Sequence, residues 1–272
     1  MSCVVEFLSI GNELLLGNTV NTNASWLATR VTMAGGSVRR ITTVGDNLNE
    51  ISNSVKEALR RKPDVLITTG GIGPTFDDMT LKGVARAFGL RIKLSKTAVE
   101  MIQQHYERRF NRRIVKLTKP RLKMAQIPAG STPIPNPVGT APGVWLKVGK
   151  TQVFCLPGVP SEAKGIFVDT VSKIITAKAG GNTFTEQWLR VVGLMESNLA
   201  PIIDQVMRHW PGVYIKSHPR GFEASSRPRI ELHLSTFSKT PKKAEESVSG
   251  AVAEIMSEMR SRRAKVEVLA QV

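Results

Sequence analysis

Apolar and polar positions along this chain follow two periods, and the switches between them mark its elements. Cys3–Ile10 is an apolar run rich in β-branched residues and ended by Gly11, which predicts a buried strand. Thr22–Ala34 places Trp26, Leu27 and Val31 on one side and stops at Gly35-Gly36, a helix pattern. Val38–Val44 reads as a second strand. Leu48–Arg61 carries Ile51, Val55, Ala58 and Leu59 at helical spacing, and Asp64–Thr69 is a short buried strand running into Gly70-Gly71. Helices are expected at Thr80–Phe88 and Lys96–Phe110, strands at Val144–Lys147 and Gln152–Leu156, and a helix over Ser161–Ala177. Strands spaced by helices pair in parallel through right-handed crossovers, so residues 1–180 are expected to form a doubly wound α/β domain.

Gly180-Gly181-Asn182-Thr183 reads as a linker. Residues 181–272 then predict a strand (Trp188–Val192), a helix (Glu196–His209), two strands (Val213–Ser217, Arg229–Thr236), a helix (Lys242–Arg260) and a strand (Val266–Leu269), a small α+β domain.

Composition excludes several kinds of chemistry. The 272 residues hold two cysteines, Cys3 and Cys155, with no CxxC, and four histidines without HxH or HxxxH spacing. A thiolate zinc site, an iron–sulfur cluster and a dithiol redox centre are therefore not expected. Any metal should be a hard cation with oxygen ligands, such as Mg²⁺ or Mn²⁺. No apolar stretch approaches membrane-spanning length, and residues 1–16 lack a basic leader and cleavage site, so a cytoplasmic location is expected.

The net charge of +16 is uneven, with 25 basic against 12 acidic residues before position 180 and 13 against 10 after it. Eight Lys/Arg stand against Glu107 alone between His105 and Lys123. Such a field attracts phosphates, although it is equally the composition of a solvated helix face.

In doubly wound sheets ligands bind outside the carboxyl ends of the strands, which decides which loops to read. Thr68-Thr-Gly-Gly-Ile-Gly-Pro-Thr-Phe-Asp-Asp-Met-Thr80 follows a buried strand and precedes a helix. Backbone N–H groups of such a loop can turn toward an anion. Neither GxxxxGK[ST] nor GxGxxG is present. Two carboxylates, Asp77 and Asp78, beside a phosphate cradle call for a cation between them and the phosphate. Asp78 could also cap the helix that follows. Glu13 in Gly11–Gly17 is either a rim carboxylate or a surface acid in a turn, and Asp46 in Thr43-Val-Gly-Asp-Asn47 reads first as a helix cap. Asn136–Gly143 and Leu156-Pro-Gly-Val-Pro-Ser-Glu162 bring two more loops to the same rim, with Ser161 at or near an N-cap.

GNELLLG, NTNASWLA, TTVGDN, TTGGIGPTFDD, NPVGTAPG and LPGVPSEAK occur in the order and spacing of CinA amino-terminal domains. Over about residues 1–177 the chain thus resembles that branch of the molybdopterin-binding MoaB/MogA superfamily, while 185–270 resembles, by element order, the KH-like domain that follows in CinA. The resemblance implies a three-layer α/β/α domain, a homodimer, and a pyrophosphatase dependent on Mg²⁺, Mn²⁺ or Co²⁺ that acts on ADP-ribose, FAD or a related dinucleotide. It also implies roles residue by residue. Asp46 and Asp78 are then catalytic, with Asp77, Asp78 and Glu13 as metal ligands. Gly70, Gly71, Gly73 and Thr75 form the phosphate loop, and Gly139, Thr140, Gly158 and Ser161 line the remaining substrate rim. Asn12, Asn21 and Met124 stand where CinA usually has Thr, Asp and Gln. The carboxy-terminal deamidase domain of CinA has no room in 272 residues, so deamidase activity is not expected of this chain.

Two alternatives remain at this level. One is molybdopterin binding with adenylyl transfer, on the same loops. The other is non-catalytic nucleotide or RNA binding, which is weakened because residues 185–270 hold no GxxG loop and only Tyr106 and Phe110 accompany the basic run.

Overall fold

The computed structural model describes residues 3–111, 116–220, 228–262 and 264–270. The chain divides into two compact units, Met1–Ala179 and Gly180–Val272. The first runs β1 (Cys3–Ile10), α1 (Asn12–Leu15), α2 (Thr22–Met33), β2 (Gly36–Val44), α3 (Leu48–Arg60), β3 (Val65–Thr69), α4 (Thr80–Ala87) and β4 (Ile92–Leu94). It continues α5 (Lys96–Phe110), α6 (Lys119–Lys123), β5 (Gln126–Pro128), β6 (Thr132–Ile134), β7 (Gly143–Val148), β8 (Thr151–Leu156), α7 (Pro160–Ile166) and α8 (Ser172–Ala179). A π-helical turn, Phe167–Val171, joins α7 to α8, so the helix expected over 161–177 is one helical stretch with an interruption.

Six strands form one sheet in the order β2-β1-β3-β8-β7-β6. β1, β2, β3 and β8 are parallel, as expected of strands spaced by helices, while β7 is antiparallel to both β8 and β6. The connection is the reason. Only Gly149 and Lys150 separate β7 from β8, a hairpin with Gly149 at φ 57°, whereas a parallel crossover needs a dozen residues or more.

Period-two alternation produces the three layers. On β3, Val65 and Ile67 pack with Leu27, Ile166 and Ile175 of α2, α7 and α8, while Leu66 packs with Ile51, Val84 and Ile102 of α3, α4 and α5. The same division recurs on β8, with Phe154 and Leu156 on the first side and Val153 and Cys155 on the second. Both thiols are buried, which pushes Cys3 and Cys155 up to about 11 and leaves neither as a nucleophile.

Among the described residues, one charged group is buried in this core. Glu6 on β1 is 1% exposed. The β1–β2 register slips between Val5 and Glu6, which leaves Arg39 as an extra residue and turns its guanidinium onto Glu6 at 2.7 Å. Arg61, at the end of α3, closes on the other carboxylate oxygen at 2.7 Å.

The second unit runs β9 (Thr183–Val192), α9 (Glu196–His209), β10 (Val213–Pro219), β11 (Arg229–Ser238), α10 (Pro241–Ser261) and β12 (Lys265–Leu269). Its antiparallel sheet has the order β10-β11-β9-β12, a split β-α-β arrangement with the first and third strands at the centre. β9 starts at Thr183, so the linker reading holds only for the residues before it. Leu189, Val191, Leu232 and Leu234 pack beneath Val206 and Ile255 of the two helices. No helix among the described residues is long and apolar enough to cross a membrane.

Candidate functional site

The carboxyl ends of the parallel strands open on a cavity of about 530 Å³. Its wall is the loop after β3, whose conformation follows from two glycines and one threonine. Gly70 sits at φ 97° and Gly71 at φ 63°, and Cβ atoms there would lie 2.1 Å from the Ile10 carbonyl oxygen and 2.3 Å from Thr80 Oγ1. Buried Thr80 closes the loop on itself: its Oγ1 donates to the Gly70 carbonyl at 2.8 Å and its N–H to the Gly71 carbonyl at 2.9 Å. Gly70 N–H in turn donates to Leu156 O, tying the loop to the end of β8. Gly70→Ala is expected to destabilise the first unit by about 2 kcal/mol, through backbone strain and the clash with Ile10. A urea midpoint equal to that of the unsubstituted chain would show that the loop yields freely.

The carboxylates are placed by hydrogen bonds to the backbone. Asp78 does not cap α4, whose N-cap is Met79 with no side-chain bond. Its Oδ2 instead accepts from Thr75 N–H and Thr75 Oγ1, both at 2.7 Å. Asp77 shares that single Thr75 hydroxyl proton with Asp78, which holds its carboxyl below the usual carboxylate range. Asp46 is not a cap either. Asn47 caps α3 by accepting from Asn49 and Glu50, which frees Asp46 to accept from Asn12 N–H at 2.9 Å while Asn12 Oδ1 accepts from Asp46 N–H. This reciprocal pair joins the loop after β2 to the loop after β1.

Four glycines on the rim share one function, which is to leave room for a polar side chain. A Cβ on Gly11 would meet the Glu13 carboxylate, one on Gly45 the Asn12 amide oxygen, one on Gly73 Asp78 Oδ2, and one on Gly139 the Glu162 carboxylate, all within 2.7 Å.

The cavity wall contains Glu13, Asp46, Gly70, Gly71, Gly73, Thr75, Asp77, Asp78, Thr140 and Gly158. Gly139 and Ser161 are not part of it. Gly139 lines a neighbouring cavity, and exposed Ser161 lies within α7, whose N-cap is Val159. The stretch expected as a loop after Gly11 contains the short helix α1.

Sequence reasoning missed three groups. Lys123 of α6 donates through Nζ to the carbonyls of Asp78 (2.9 Å), Gly73 (3.4 Å) and Thr75, clamping the glycine loop from a distant segment. Burial lowers its pKa, against the pull of Asp78. Glu162 accepts from Asn136 Nδ2 at 2.6 Å and lines the cavity. Tyr106 of α5 lines it too, with the Arg121 guanidinium 3.9 Å above its ring. The basic run thus contributes to the site through Arg121 and Lys123, while Arg112 and Arg113 lie outside the described residues.

The donor set is hard oxygen throughout. Among the described residues no three of His, Cys, Asp and Glu gather as a metal-binding group, so Glu13, Asp77 and Asp78 line the cavity without forming a closed cage.

Residues 6–177 match the family model described as a probable molybdopterin binding domain. A protein of Pyrobaculum aerophilum is 43% identical over 92% of each chain, and one of Aeropyrum pernix is 44% identical over 85% of each. A crystal structure of CinA from Thermoplasma acidophilum, described as of unknown function, is 41% identical with a TM-score of 0.57. The match covers 63% of this chain and 98% of that one. With its glycine loop on a three-layer α/β/α frame, the chain belongs to the probable molybdopterin binding domain family and is CinA-like.

Proposed function

We propose that the first unit is a metal-dependent pyrophosphatase that cleaves ADP-ribose or a related dinucleotide. The observation that carries this reading is the single cavity that brings the glycine loop, Asp77, Asp78 and Asp46 to one wall. The loop and its Lys123 clamp hold one phosphate. Asp77 and Asp78 would hold a divalent cation, which would supply charge neutralisation for the phosphates and a lowered pKa for attacking water. Asp46 is held through Oδ2 by Asn12, and its other oxygen orients the water and takes its proton. Positioning and electrostatics then carry the reaction, as in other phosphoryl transfers, and no Ser or Cys nucleophile is involved.

The test is chromatography of the products from ADP-ribose, FAD, NAD and ATP, each with Mg²⁺, Mn²⁺ or Co²⁺. Release of AMP from ADP-ribose or FAD is expected. No turnover with any pair would overturn the reading. The family description itself favours one alternative, binding of molybdopterin, to which adenylyl transfer on the same loops would be the matching activity. Saturable binding of molybdopterin without hydrolysis of any dinucleotide would select it.

A further inference from the structure

The positive charge of this chain is concentrated on one part of the first unit. Residues 80–123 hold thirteen Lys/Arg against two acids, Glu100 and Glu107, and so account for eleven of the sixteen net charges. Within them lie α4, β4, α5 and α6. α4 packs on the β4–β5 pair, α6 leads into β5, and Lys82 of α4 and Lys123 of α6 line one small cavity. The cations of these elements therefore adjoin one another. Lys82, Arg86, Arg91, Lys93, Lys96 and Lys119 are all exposed.

Two observations separate this patch from an ordinary solvated face. Elsewhere surface cations are tied to carboxylates, as Arg190 is to Glu231, but no ion pair among the described residues involves residues 80–123. In addition, α4, α5 and α6 each carry a lysine and no acid in the first turn, at Lys82, Lys96 and Lys119. A helix N-terminus disfavours a cation, so these positions oppose folding rather than assist it. Charge that stability does not explain calls for an anionic partner.

That partner must be a polymer, because one phosphate ester can engage only a few of these cations. Protein interfaces are depleted in lysine and centre on apolar anchors, whereas nucleic-acid interfaces are strongly positive. On α4, β4 and α6, Leu94 is the one large apolar side chain exposed, too little for a protein anchor or a membrane face. We propose that this patch is a docking surface for the sugar–phosphate backbone of nucleic acid, bound without regard to sequence. Such binding needs neither a GxxG loop nor a stacking platform, since it comes from release of counterions from the phosphates. It stands apart from hydrolysis at the glycine loop and does not rest on it.

The test is fluorescence anisotropy of the full chain with a labelled single-stranded RNA of about 20 nucleotides with hydroxyl ends, between about 0.05 and 0.2 M salt. Binding is expected with Kd on the order of 10⁻⁵ M at physiological salt, weakening as salt rises. Lys96→Glu with Lys119→Glu should weaken it about 10-fold or more. The slope of log K against log salt should become shallower by about 1.4, the share of two phosphate contacts. This variant should melt no lower than the unsubstituted chain, because glutamate suits a helix N-terminus. Arg30→Glu with Lys173→Glu makes the same charge change at exposed positions of α2 and the start of α8, on the opposite layer of the sheet. It should alter affinity by less than about twofold, since screening confines such effects to the neighbourhood of the charge. RNA affinity unchanged in the patch variant, or equal loss in both variants, would overturn the surface. Tighter binding of poly-glutamate or of phosphatidylglycerol vesicles than of the RNA would also overturn it, as would absence of RNA binding by the unsubstituted chain.

Discussion

Asp78→Asn is expected to lower turnover of ADP-ribose by about 100-fold or more while the protein stays folded. Losses of that order accompany removal of one group that stabilises developing charge in a closed site. In the proposed mechanism Asp78 has two roles that this substitution separates. Its Oδ2 organises the loop by accepting from the N–H and Oγ1 of Thr75, and an asparagine oxygen can still accept there. Its negative charge, the part that a cation beside the phosphate requires, is lost. The variant should therefore melt within a few degrees of the unsubstituted chain and need far more Mg²⁺ for residual activity. Asp78→Ala loses both roles and should be the less stable of the two. Turnover within threefold of the unsubstituted chain for Asp78→Asn would remove Asp78 from the mechanism.

The largest effect on stability is expected within β1, where Glu6 is buried. Glu6→Ala should lower the unfolding free energy by about 3 kcal/mol at pH 7, since it strips two guanidiniums of a buried partner. Arg39 and Arg61 are 43% and 30% exposed, and water can partly rescue them, which keeps the effect at the lower end of the range for broken buried pairs. The pH dependence has a definite sign. Burial alone would raise the Glu6 carboxyl, but hydrogen bonds from Arg61 and Arg39 outweigh it and hold the group below the ordinary carboxylate range. Its contribution is therefore complete above the unfolded value near ~4.3 and is lost as pH falls through the folded one. Urea midpoints of Glu6→Gln should be lower than those of the unsubstituted chain at pH 7, and the gap should close toward pH 3. A gap that stayed constant with pH would mean that the pair contributes through packing alone.

Much of the first unit is legible without coordinates because its strands are short, apolar and separated by helical periods. β1, β3 and β8 are buried on both faces, which is why they read as continuous apolar runs. β4, β5 and β6 have three residues each, too few for any period to show. The antiparallel β7 was legible in principle from Val148-Gly149-Lys150-Thr151, a two-residue turn between two apolar runs. At the site, Asp46 and Asn47 are adjacent residues of equal capping ability, and only geometry distinguishes them. Lys123 reaches carbonyls 45 to 50 positions away, a relation that no local pattern encodes. Glu162 stands beside Ser161, the more familiar capping residue, and gains its place from Asn136 and from the space at Gly139.

That space has a consequence for recognising degenerate copies of this site. Glu13, Asn12, Asp78 and Glu162 each occupy volume vacated by a specific glycine: Gly11, Gly45, Gly73 and Gly139 respectively. An acid can be exchanged for its amide in the same volume, but a methyl group at the paired glycine meets the end of the side chain and makes it shift. A homologous chain that retains all four polar residues and bears alanine at one of these glycines is therefore expected to carry a rearranged rim. In genomes, the four intact glycine–partner pairs are thus a stricter signature of this rim geometry than the polar residues alone.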